Sequence, residues 1–272
     1  MIASNMENIL TNSGLIHIRV QIFGYLDHKT LKNCREAFAK RFGENWYLCE
    51  RLVLVQCLLE LGDKVQYYGN YEEKILRNFI PGWDKAVKKF DKMASLNDLY
   101  EVIGSLKVYV EDKKVDVADL YMPLHFAACK GHVKVMELLL HTDLNINERV
   151  DRGLTPFIIA CLNGHTEVVN LMITSSKEYG IDLNACCDRG WTVFFLACLK
   201  PHMEIVKLMV EKRTQYEINI HQKTRSTDFG DGIRTAWKTV NYRFKYSSKE
   251  NKASFKELKR ILKKAYLEDK NP

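Results

Sequence analysis

Between Asp119 and His221 the apolar and polar positions follow one pattern three times. The runs PLHFAACKGH, PFIIACLNGH and VFFLACLKPH occupy residues 123–132, 156–165 and 193–202. Each is followed by apolar residues at helical spacing: Val135, Leu138 and Leu139; Val168, Val169, Leu171 and Met172; Ile205, Val206, Leu208 and Met209. Each unit closes in an Asn-containing turn, at Asn145–Asn147, Leu183–Ala185 and Ile218–Ile220. Pro123 to Pro156 spans 33 residues, as does His132 to His165. His165 to His202 spans 37, with the extra residues in the Ser175–Gly180 loop. A fixed period of this length predicts an all-α array of stacked units, each turn, helix, turn, helix.

The chemistry of the repeated positions agrees. Pro156 suits the first turn of a helix, where its missing N–H costs nothing. Ala128, Cys161 and Cys198 are small, so neighbouring helices can approach closely. Gly131 and Gly164 stand where a helix must end in a left-handed conformation. Pro201 replaces that Gly in the third unit, which predicts a different turn there with Pro201 opening the second helix. Thr155-Pro156, the small pair Ala127/Ala128 and Gly131-His132 before an aliphatic run resemble the ankyrin family. That resemblance implies an ankyrin-repeat solenoid of three clear repeats with degenerate capping units. Val102 and Leu106 precede Val135 and Leu139 by 33 residues, so two helices at Lys85–Ser95 and Asp98–Val110 read as a degenerate first unit.

Upstream, residues 1–14 are polar and predict a disordered N-terminus. Ile18, Ile22, Phe23 and Leu26 recur at helical spacing, Thr30 can cap a second helix, and Trp46–Leu61 predicts a third. The stretch Ile22-Phe23-Gly24-Tyr25-Leu26-Asp27-His28-Lys29-Thr30-Leu31-Lys32-Asn33-Cys34 resembles the core of an F-box, the helical module that docks on the Skp adaptor of cullin ubiquitin ligases. Gly14-Leu15 stands where that family usually has Leu-Pro. The alternative is a pair of amphipathic helices capping the array. The resulting plan is an F-box-like helical bundle at 15–61, a connector at 62–84 with a short helix at Glu72–Phe79, ankyrin repeats at 85–221 and a basic C-terminal cap at 222–272. In that cap Ser254 and Glu257 predict a capping box opening a helix. Its Phe255, Leu258, Leu262, Ala265 and Tyr266 share one face.

Charge changes this picture only at the C-terminus. The chain carries a net +7, and residues 223–264 hold 13 Lys or Arg against 4 Asp or Glu. That segment reads first as a solvated terminal cap. Its interleaved Trp237, Tyr242, Phe244 and Tyr246 keep two other readings open: a nucleic-acid contact, disfavoured because charge without a motif is weak support, and a calmodulin-like or membrane-surface helix. No apolar run is long enough to cross a bilayer and no signal peptide opens the chain, so a cytoplasmic or nuclear location is expected. The eight Cys lack metal spacing and read as reduced thiols, with Cys129, Cys161 and Cys198 in buried helix turns. His132, His165 and His202 predict a ladder about 10 Å apart, too far to share an ion. No catalytic motif, metal site or cofactor site is present in the sequence, and the expectation is a non-enzyme.

These readings converge on a protein–protein adaptor. The F-box resemblance implies that Ile22, Phe23, Leu26, Leu31 and Cys34 bind Skp, and through it a cullin complex. The ankyrin resemblance implies that an unidentified target protein is held on a concave face and its turn tips. Candidate contacts there are the tips Arg149, Arg152 and Arg189, the helix-end positions Lys130, Asn163 and Lys200, and the aromatic Trp191, which reads equally as packed against the next finger. The alternative function is an ankyrin scaffold with no ubiquitin role.

Overall fold

The computed structural model describes residues 44–62, 66–68, 77–112, 122–200, 202–225, 233–234, 236–246 and 249–269. The F-box-like residues Ile22, Phe23, Leu26, Leu31 and Cys34 lie outside the described residues. What is described is mostly helical and falls into two compact units. One runs through Pro123 and includes Glu137–Leu144; the other holds Leu124–Met136 and everything from Asn145 onward.

In the first unit, α1 (Glu44–Gly62) packs against α2 (Trp83–Met93) and α3 (Leu96–Asp112). Leu54, Leu58, Val87, Phe90, Leu99, Ile103 and Leu106 are fully buried between them. The Trp83 indole donates to the Leu58 carbonyl at 2.9 Å. It also lies so close to Gly62 that any side chain there would run into the ring. Helix α3 opens with a reciprocal cap. The Ser95 N–H donates to Asp98 Oδ2 at 2.8 Å, and the Asp98 N–H to Ser95 Oγ at 3.2 Å. Val102 and Leu106 are buried, as are Val135 and Leu139 one period later.

The short helix expected at Glu72–Phe79 is corrected. Arg77–Phe79 is a strand, β2, antiparallel to β1 (Gln66–Tyr68), with Gln66 opposite Phe79 and Tyr68 opposite Arg77. Tyr67, Tyr68 and Phe79 are residue types that favour a pleated backbone, and the hairpin supplies main-chain partners that a single helical turn would lack.

In the repeats, α4 (Pro123–Lys130) and α5 (Val133–Leu140) form one helix pair, α6 (Pro156–Asn163) and α7 (Thr166–Thr174) the next, and α9 (Val193–Leu199) and α10 (Met203–Lys212) the third. Gly131 and Gly164 end α4 and α6 with φ of 74° and 79°, as the sequence requires. Three local expectations give way. Ser175–Gly180 is not a loop but carries α8 (Ser176–Tyr179), which continues α7 after one residue. Helix α10 begins at Met203 with His202 as its N-cap, not at Pro201. Lys200 is extended (φ −100°, ψ 105°), the conformation imposed on the residue before a proline. Cys161 and Cys198 are fully buried, and burial pushes their thiols far above the ordinary range. Cys129 is only half-buried. It stands one position later, in register with the half-buried Leu162 and Leu199.

After the third pair a short ladder joins β3 (Thr224–Arg225) to β4 (Ile233–Arg234). Helix α11 (Ala236–Tyr246) then packs on α9 and α12 (Lys249–Glu268) on α10, repeating the first-helix-on-first-helix arrangement of the array. The expected capping box at Ser254 is corrected. The helix starts at Lys249, Ser254 lies inside it, and Glu257 pairs with Arg260 at 2.8 Å. The run Lys249–Ala253 has no breaker, so nothing stops the helix from extending upstream. Phe255, Leu258, Leu262 and Ala265 are buried on the predicted face. The far end of α12 is held by Arg213, which bonds Glu268 and Asp269 at 2.9 Å each.

Candidate functional site

Two turn tips project from the second unit, and both have the sequence Asp-Arg-Gly-x-Thr, at 151–155 and 188–192. In the first, the Val150 N–H donates to the Leu154 carbonyl at 3.0 Å; in the second, the Cys187 N–H donates to the Trp191 carbonyl at 3.0 Å. Gly153 and Gly190 turn the chain with φ of 70° and 71°, and Arg152 itself takes φ 62°. Thr155 and Thr192 then cap the helices that follow, their hydroxyls accepting from Ile158 N at 3.3 Å and Phe195 N at 3.1 Å. Each tip is thus a hairpin closed at its base and stiffened by the helix it leads into.

The tips are also tied to each other. The Asp188 N–H donates to the Arg152 carbonyl at 2.9 Å, and Arg149 pairs with Asp188 at 2.8 Å. Both side chains of that pair are largely exposed, so it contributes no more than about 1 kcal/mol and serves mainly to set tip spacing. A side chain at Gly153 would collide with both partners. Arg152 and Arg189 are exposed. Trp191 is half-buried. Its ring packs on Phe195 at 5.9 Å, and the Arg189 guanidinium covers it at 5.3 Å. The tryptophan therefore belongs to the base of its own tip.

Lys130, Asn163 and Lys200 end successive first helices and are all exposed. Asn163 Nδ2 donates to the Ile159 carbonyl at 3.0 Å, closing its own helix, whereas the Lys200 ammonium reaches the Leu162 carbonyl of the previous repeat at 3.5 Å. Two of the laddered histidines bridge successive repeats. His165 Nε2 lies 2.7 Å from the Cys129 carbonyl and His202 Nε2 3.1 Å from the Leu162 carbonyl, each ring bridging to the repeat before it. His125 instead bonds the Glu148 carbonyl within its own repeat, at 3.0 Å. Among the described residues no group of His, Cys, Asp or Glu has the arrangement of a metal site.

A second ladder was not foreseen from the sequence. Asn147 Nδ2 donates to the Gly180 carbonyl at 2.8 Å while its Oδ1 accepts from the Asp182 N–H at 2.9 Å. Asn184 repeats this one unit on, with the Glu217 carbonyl at 2.9 Å and the Asn219 N–H at 2.7 Å. The signal was present as an Asn in each closing turn; what it lacked was a partner, which only the stacked neighbour supplies. Each amide satisfies a donor and an acceptor of the next turn, so Asn184→Ala should cost about 1–3 kcal/mol. Chemical denaturation checks this, and a loss near zero would mean that water replaces the amide.

Residues 93–185 and 124–224 each match the family model described as ankyrin repeats (3 copies). The chain is similar to "Probable E3 ubiquitin-protein ligase XBOS33" of Oryza sativa subsp. japonica, 44% identical over 54 residues. It is equally similar to "E3 ubiquitin-protein ligase XBAT33" of Arabidopsis thaliana, 44% identical over 54 residues. Each match covers 20% of this chain and 10% of the relative. The chain therefore spans about a tenth of the length of these curated relatives. With the period, the capped helix pairs and the family match in agreement, residues 93–224 are an ankyrin-repeat array.

Proposed function

We propose that this protein is an interaction adaptor. Its repeat tips and first-helix ends hold a target protein, and its F-box-like residues 15–61 connect that target to a Skp–cullin ubiquitin ligase. The observation that carries the reading is the pair of linked tips that present Arg152 and Arg189 at the start of first helices whose far ends expose Lys130, Asn163 and Lys200. Binding energy concentrates on arginine and aromatic groups held in place before the partner arrives. An ankyrin array is an interaction fold, and its repeats bury their apolar faces against one another, which leaves tips and helix ends as the variable surface. Similarity to proteins named as E3 ubiquitin ligases supports a place in the ubiquitin pathway, and the residues from Ile22 to Cys34 support the Skp link.

The test is affinity purification of the full chain followed by mass spectrometry. A Skp adaptor and a cullin should co-purify, and Leu26→Asp should abolish their recovery while the far-UV circular dichroism of the repeats stays unchanged. Undiminished recovery with Leu26→Asp rejects docking through this segment. Recovery of other proteins without Skp or cullin favours a scaffold with no ubiquitin role.

A further inference from the structure

On α11, Trp237 and Phe244 face α12. The Lys259 ammonium lies over both rings, at 5.9 and 5.5 Å, and Tyr266 packs on Trp237 at 6.0 Å. Tyr242 and Tyr246 each stand two residues from Phe244, which is about 200° around the helix, so they occupy the side turned away from α12. Their rings pack on each other at 4.7 Å, with 44% and 63% of their surface exposed. In a stacked array the side of a first helix turned away from its second helix is the concave side.

Register joins this pair to the repeats before it. Tyr242 is the seventh residue of α11, as Leu199 is of α9 and Leu162 is of α6. Helix α11 packs on α9 as α9 packs on α6, so the three side chains form one row with steps of about 10 Å. Leu162 and Leu199 are half-buried, and the row opens outward where it reaches the tyrosines. Its length of about 20 Å is that of about seven residues of extended chain.

The charge around this row has one sign. No Asp or Glu occurs in α4, α6, α9 or α11, whereas each second helix carries at least one Glu. The tip carboxylates Asp151 and Asp188 stand at the other ends of the first helices, each paired with an arginine. At the row itself Lys200 is exposed, and the Lys245 ammonium sits over the Tyr246 ring at 5.3 Å. An apolar row edged only by cations complements an acidic segment that also carries apolar side chains. Nucleic acid would meet the lysines and leave the leucines without a partner.

Resting on the reading that the first-helix ends hold a target, we propose that the row Leu162, Leu199, Tyr242 and Tyr246 binds an acidic segment of that target. Its aliphatic or aromatic side chains lie on the row, with the tyrosine pair as anchor, and its carboxylates meet Lys200 and Lys245. The experiment selects a phage-displayed random peptide library on the immobilised full chain, then measures the enriched peptides, fluorescein-labelled, by anisotropy. Enriched sequences should combine Asp or Glu with large apolar residues. Tyr246→Ala should weaken their binding about tenfold or more. Lys200→Glu should weaken it about fivefold at low salt, by a factor that shrinks as salt rises. Thermal melts show which variants fold as the parent does, and Tyr246→Gln replaces Tyr246→Ala if the latter does not. The proposal is overturned if no peptide is enriched, if the enriched peptides are basic or lack apolar residues, if folded Tyr246→Ala binds them as the parent does, or if a single-stranded oligonucleotide binds more tightly than they do. Its failure is separable from that of the adaptor reading. Peptide binding that depends on Tyr246, with no Skp or cullin recovered, rejects only the ubiquitin link; recovery of Skp and cullin, with peptide binding indifferent to Tyr246, rejects only the acidic row partner.

Discussion

Phe195→Ala should remove about 3–5 kcal/mol of stability, the largest effect expected of any single truncation in the array. Phe195 is fully buried on α9, a helix that packs against α6, α10 and α11 at once. Deleting its ring takes apolar area out of the core and leaves a void at the junction of two repeats and the terminal helix pair. Repeat proteins have no remote contacts to compensate, since each unit is supported only by its neighbours. The loss should therefore appear at both interfaces of the third repeat. Denaturant unfolding followed by circular dichroism measures it: the midpoint should fall, and α11–α12 should become the first part to lose protection in hydrogen exchange. A cost below about 1 kcal/mol would mean that Trp191, whose ring lies 5.9 Å away, fills the space.

The second large effect concerns acid. Successive repeats place His125, Ile158 and Phe195 at one register position, and all three side chains are completely buried. Burial disfavours the imidazolium and lowers the His125 pKa from an ordinary 6.5 to about 4; hydrogen bonds with the backbone of Glu148 and Leu154 oppose this only in part. The unfolded chain therefore binds a proton at this site between about pH 6.5 and pH 4 that the folded chain refuses. Stability from this group is complete above pH 6.5 and is lost as pH falls through that window. The total is about 3 kcal/mol, taking roughly 1.4 kcal/mol for each pKa unit. Comparing unfolding free energies at pH 7 and pH 4 for the parent and for His125→Gln isolates the effect, because the carboxylates titrate alike in both. The parent should lose about 3 kcal/mol more than the variant; equal losses would mean that the imidazole is protonated without leaving its site.

Much of the array is legible in the residues themselves. The period of 33, the glycines after α4 and α6, and the aliphatic stripes of the second helices are local signals, and the helices stand where those signals place them. The places that departed from expectation share a cause. Ser254 with Glu257 reads as a helix start until the whole of α12 is seen, and Arg77–Phe79 reads as helix until Gln66–Tyr68 pairs with it. Pro201 implies a new helix origin, yet His202 takes the N-cap, as His165 does in the repeat before it. Trp191 reads equally as an aromatic anchor or as a packed ring, and only the folded chain sets it half-buried against Phe195.

The candidate surface divides in the same way. That Arg149, Arg152 and Arg189 stand on turn tips follows from spacing alone, whereas the pairing of Arg149 with Asp188 involves residues 39 positions apart. The Asn147 and Asn184 amides likewise meet backbone groups 33 residues further on. By itself the sequence determined the helical unit, its repetition and its caps, because those depend on contacts within a few residues and on which faces are apolar. The tertiary structure alone decided which side chains join one unit to the next and which stay outward, since a hydrogen bond is short and directional and its partner exists only once the neighbouring repeat is in place.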